Sequence, residues 1–216
     1  MNWSEAVDLY CERTDASFWS EPVNALSNAA FLIAAALALD LWRRGDRKDW
    51  PALALIVIVA AVGVGSFVFH TVATRAAILA DVIPIAVFIY GYLLLALRRF
   101  LHLRVIVAAP IVVAYAAGAQ ALSALAPARL LNGSIGYLPA LAALIAVAVA
   151  AREQGTRRSL GLAAVVFAIS LAFRTADIAL CPQFPLGIHF VWHVLNAVVL
   201  YVLLRTAIAA RRAGSL

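Results

Sequence analysis

Charge is scarce in this chain. Only 13% of its 216 residues are charged, 65% are hydrophobic, and the mean hydropathy is +0.96. That balance excludes a water-soluble globular domain of this length. Linkers are lacking too: no Gly/Ser-rich tract, no solenoid-type period and no polar stretch long enough for a separate soluble domain interrupts the sequence. Basic residues are not interleaved with aromatics in the manner of a nucleic-acid binder, so the net charge of +6 has another meaning. Residues 1–22 are acidic and lack the basic n-region and short apolar core of a cleavable signal, so they are expected to remain on the protein.

What is present is a series of long apolar runs. A bilayer core takes about 20 such residues per helix. Runs of that order fall at Val23–Leu41, Pro51–Phe69, Ala77–Leu97, Val105–Leu125, Ile135–Ala151, Leu160–Leu180 and Phe184–Leu204. They predict an all-α integral membrane protein, one seven-helix bundle over residues 1–216, with 1–22 as an acidic cap. Cytoplasmic loops retain Lys and Arg. With the N-terminus outside and the C-terminus cytoplasmic, only Arg13, Arg75 and Arg129 of the 17 Lys and Arg face outward and Arg174 lies within a helix. All others face inward, where they also favour anionic lipid headgroups.

Cysteine is limited to Cys11 and Cys181, both outside in this topology. An oxidising compartment would permit a disulfide pinning the N-terminal segment over the bundle. Two unpaired buried thiols are the simpler alternative.

Histidine occurs four times. His189 and His193, in the run HFVWH, are four residues apart and share one helical face; His70 ends the second run at the same predicted depth. His102 falls in an inside loop at the opposite face. A histidine alone in a bundle is most simply a hydrogen-bonded interhelical residue. Three at one level beside an aspartate point to a metal. Three neutral nitrogens with an open fourth position are what catalytic zinc requires, with water as the fourth ligand and its pKa lowered to about 7.

The metalloprotease pattern HExxH carries its base between the histidines, but here Phe190, Val191 and Trp192 intervene. The base must come from another helix, and Asp81, eleven residues after His70, is the candidate. An ionisable residue within a membrane span is a functional hypothesis by default. It would orient a histidine or exchange a proton with metal-bound water. Ser66 shares the face of His70 one turn deeper and is placed to donate to a developing oxyanion, although a membrane-helix serine often bonds only its own i−4 carbonyl. Gly63, Gly65 and Ser66 form a small-residue face suited to close helix approach. Arg174 and Asp177, three apart, are expected to pair within their helix.

These motifs together resemble the alkaline ceramidases: YCER (Tyr10 to Arg13), EPVNALSN (Glu21 to Asn28), GSFVFH ending at His70, Asp81, and HFVWHVLN (His189 to Asn196). That family belongs to the wider group of seven-helix membrane hydrolases that includes the adiponectin and progestin receptors. The resemblance implies an intramembrane amidase that cleaves the N-acyl bond of ceramide or a related N-acyl lipid. It places His70, His189 and His193 on the zinc ligands, Ser66 and Asp81 on the active-site serine and aspartate, and Cys11 and Cys181 on the bridging cysteines.

The resemblance also implies calcium in the N-terminal segment, with a looser match. Glu12 and Glu21 fall on acidic ligands of the family, but Leu9 stands where the family carries Asp and Thr14 where it carries Asn. Asp8 is the nearest substitute for the first, Asp15 lies beside Thr14, and Tyr10 offers a carbonyl. Calcium takes six to eight oxygens, so an acidic segment suits it; a solvated acidic tail is the alternative.

The expected partners are membrane lipids and a lipid amide, with no nucleic acid and no obligate protein partner. A receptor-like or lipid-binding protein with a structural zinc site is the competing reading. A transporter is disfavoured, since neither paired inverted repeats nor broken helices are evident.

Overall fold

The computed structural model describes residues 2–127 and 130–213, without the side chains of Arg212 and Ala213. Arg129 and the Arg212 side chain, used above for orientation, therefore lie outside the described residues. The helices are α1 (Pro22–Ser27), α2 (Ala29–Arg43), α3 (Trp50–Val72), α4 (Arg75–Arg99), α5 (Val105–Leu125), α6 (Leu138–Ala150), α7 (Gln154–Leu180) and α8 (His189–Ala213). A tight turn segment, Leu130–Tyr137, leads into α6. Paired as α1–α2 and as turn segment–α6, these give seven segments long and apolar enough to cross a membrane.

Two boundaries differ from the hydropathy reading. Helix α7 begins at Gln154 rather than Leu160, because Glu153 caps it, accepting from the backbone N–H groups of Gly155 and Thr156. The polar turn QGTRRS is thus helical despite being unsuited to hydrocarbon. Helix α8 begins at His189 rather than Phe184, since Pro185 and Gly187, the latter at φ 68°, bend the chain just before it.

Helices α3 and α8 are central, with half of their apolar windows buried, whereas α5 buries 6% and lies at the periphery. Outward residues such as Ile33, Val57, Ile106 and Val113 are exposed on the protein alone, as lipid-facing positions must be. Gly65 fixes the α3–α4 approach: a Cβ there would overlap the Ala80 carbonyl. Gly63 does the same toward α2, where a Cβ would meet the Phe31 Cβ at 3.0 Å. Helix α3 ends on Ala73 in the left-handed conformation, φ 45°, and the reversal into α4 is braced by residues 3–7: Val7 N–H donates to Ala73 O, and Arg75 N–H to Glu5 O.

At the opposite end of the bundle, Asp49 caps α3 and accepts two hydrogen bonds from Arg99 of α4, at 2.9 and 2.8 Å. Arg99 also donates to the Ala207 carbonyl of α8, so one guanidinium ties three helices.

Because α4 carries Asp81 one residue past the Gly65 contact, Gly65→Ala should separate α3 from α4. Overpacking of this kind costs roughly 1–3 kcal/mol. Thermal melting in detergent should show a lower midpoint than for the native protein.

Candidate active site

The three histidines converge. His70 sits in the last turn of α3, His189 opens α8, and His193 follows one turn later. Their ring centroids are 5.4, 4.8 and 4.6 Å apart and their ligand nitrogens lie within 4.8 Å of one another. Each is at most 2% exposed. Among the described residues this is the one group of three or more His, Cys, Asp or Glu side chains close enough to share a metal.

Hydrogen bonding fixes which nitrogens are free. Ser27 donates its hydroxyl proton to the Asn24 carbonyl, so toward His193 it accepts, and the His193 Nδ1–H donates to it at 2.7 Å. The His70 Nδ1–H donates to Glu21 Oε2 at 2.6 Å. Both rings therefore turn an unprotonated Nε2 the other way, and His70 Nε2 is buried with no partner. His189 Nδ1 is likewise buried and unpartnered. Leaving such atoms unsatisfied costs free energy, and a metal ion is the species that lone pairs of converging imidazoles satisfy. The donor set is all-nitrogen and three in number, which fits zinc with an open position.

Ser66 is 3% exposed, one turn below His70, with its hydroxyl beside the Asp81 carboxyl. The close approach at Gly65 puts the two together. Asp81 Oδ1 is buried without a partner. Beneath the site lies an apolar cavity of about 100 Å³, lined by Phe31, Phe88, Tyr92, Tyr137 and Trp192 among others. Phe31 and Trp192 connect it to the histidines: the first packs against His193, and the second precedes it on α8.

Residues 2–21 cover the site. Tyr10 stacks on the His189 ring at 3.7 Å, and Cys11 is joined to Cys181 by a disulfide. The expected Arg174–Asp177 pair is absent. Asp177 instead accepts from the N–H groups of Cys11 (3.0 Å), Ile188 (2.7 Å) and His189 (3.0 Å), so it holds both the covering segment and the first turn of α8. Gly187 is required beside it, since a Cβ there would meet Asp177 Oδ1 at 2.6 Å. Arg174 points into an aromatic cage, with its guanidinium 6.0, 5.4 and 5.7 Å from the rings of Tyr10, Tyr137 and Trp192. It donates to Asn132 O and Ser134 Oγ. Three successive left-handed residues, Leu131, Asn132 and Gly133, turn that carbonyl toward it.

The two glutamates considered for calcium are engaged elsewhere. Both Glu12 oxygens accept from the N–H groups of Val23 and Asn24, capping α1. Burial pushes the Glu12 carboxyl above the usual range, only partly offset by those donors. Burial acts on Glu21 in the same direction, but His70 and Arg13 overcome it and hold its carboxyl below the usual range. Asp8 and Thr14 are exposed, and the Tyr10 carbonyl accepts from the Arg13 N–H at 3.3 Å. These residues do not fit a calcium shell.

Comparison with known proteins agrees with the geometry. The family model described as Ceramidase matches residues 7–213. The chain belongs to the ceramidase family. No curated protein matches it significantly. As a ceramidase-family membrane protein with a histidine cluster of catalytic zinc type, it is a zinc-dependent hydrolase.

Sequence reasoning gave Ser27 and Arg13 no role at the site beyond their place in the quoted motifs, and it expected Arg174 as the partner of Asp177, which is not found. Ser27 and His193 are 166 positions apart, so no local pattern links them. Asp177→Ala should loosen the start of α8 and weaken zinc binding by about 10–100-fold, as loss of a supporting partner does. Competition against a zinc-selective fluorescent chelator measures that change.

Proposed function

We propose that this protein hydrolyses the N-acyl amide bond of ceramide or a related N-acyl lipid, releasing an amine lipid and a fatty acid. The observation that carries this reading is the convergence of three imidazoles with unspent nitrogens on the Ser66–Asp81 pair, directly above an apolar cavity. The residues also support a single hydrolase domain with residues 1–22 as its cap. The distribution of Lys and Arg supports an extracytoplasmic site and a cytoplasmic C-terminus.

His70, His189 and His193 would hold zinc, which when bound supplies Lewis acidity and a water of lowered pKa. The remaining work falls to side chains. Asp81 accepts the proton of the attacking water through its unpartnered Oδ1 and returns it to the departing nitrogen as the C–N bond breaks and the C–O bond forms. Ser66 turns its single hydroxyl proton toward Asp81 in the resting site and toward the carbonyl oxygen of bound substrate, where negative charge develops. The cavity walls hold the acyl chain and exclude water. Substrate enters laterally from the bilayer.

Replacing His193 with Ala should abolish both zinc content and amide hydrolysis, assayed by mass spectrometry of products from N-acyl lipids. Full activity without bound metal would refute the reading. Asp81→Asn should retain zinc yet lower kcat by about 10²–10⁴-fold, the usual worth of a positioned proton carrier.

A further inference from the structure

The covering segment has a cation of its own. Arg13 is 6% exposed and reaches into the space between residues 12–21 and the end of α3. Its Nε donates to Glu21 Oε1 at 2.5 Å, Nη1 to the carbonyls of Asp15 (3.0 Å) and Ser17 (3.3 Å), and Nη2 to the carbonyl of His70 (3.1 Å). One carboxylate and three main-chain carbonyls from two separate segments thus face a single positive charge. That is an oxygen set of the kind a calcium ion gathers, closed here around a guanidinium.

We propose that Arg13 is the built-in cation of this cap, in place of the calcium that the family resemblance implies for the segment, and that it positions His70 through Glu21 and through the His70 carbonyl. Arg13 is a positioning residue, acting on the site only through His70. Glu21 carries the link, since its second oxygen accepts from the His70 Nδ1–H and from Asn24 Nδ2. A divalent ion beside the guanidinium would be repelled, and the carboxylate oxygens it needs are already bonded.

The proposal is independent of which bond the enzyme cleaves, and its test does not use activity. The native protein, exposed to millimolar calcium and dialysed, should contain zinc but no calcium by elemental analysis. Its melting midpoint should be the same in calcium as in an equal concentration of magnesium. Arg13→Gln should release zinc to a competing chelator at least tenfold faster than the native protein, with Arg13→Lys intermediate. Calcium retained by the native protein, or a midpoint raised by calcium alone, overturns the proposal. So does Arg13→Gln if it keeps native melting and native zinc release. Should that variant fail to fold, the two measurements on native protein still decide.

Discussion

Glu21 accepts from Arg13 through one oxygen and from the Nδ1–H of His70 through the other, at a position 1% exposed. In a medium this poor in water, a carboxylate is tolerable only when both oxygens are satisfied. Satisfying this one joins the covering segment, α1 and α3. The same bond sets the tautomer of His70, leaving its Nε2 lone pair aimed at the other two histidines. Ser27 does this for His193 with a neutral acceptor. The order of the site therefore comes from partners of its ligands, and these lie on residues 10–28, far in sequence from α8.

A second constraint is the contact between α3 and α4 at Gly65. Small residues let membrane helices meet where no hydrophobic force between them exists. Here the contact of Gly65 with Ala80 is flanked by Ser66 on one helix and Asp81 on the other, so packing and the proposed chemistry share one crossing. Asp177 performs a comparable double task at α8, tying the segment around Cys11 to the N–H groups that open the helix. The far end of the bundle uses an ion pair, Asp49 with Arg99, to clamp α3, α4 and α8. The helices that frame the cavity are thus held together above and below it.

Hydropathy, histidine spacing and the depth of Asp81 were legible in the sequence because each follows from a one-dimensional rule. Bilayer thickness sets the length of an apolar run, and helical period sets which side chains share a face. Ser66 could be paired with His70 for the same reason. The i, i+3 rule failed for Arg174 and Asp177, which share a helix but take partners from the turn segment, residue 11 and the start of α8. It had no purchase on Arg13, whose acceptors belong to its own loop, to Glu21 and to His70.

The sequence by itself determined a seven-span membrane protein with a histidine trio at one level, since apolar length and periodicity do not depend on distant partners. Only the tertiary structure decided which polar group satisfies which. In a low-dielectric interior each buried donor and acceptor must find a partner, and the choice depends on where side chains from separate helices and the cap come to point. Hence Asp177 of α7 pairs with the start of α8, Glu21 pairs with His70, and the acidic cap encloses an arginine.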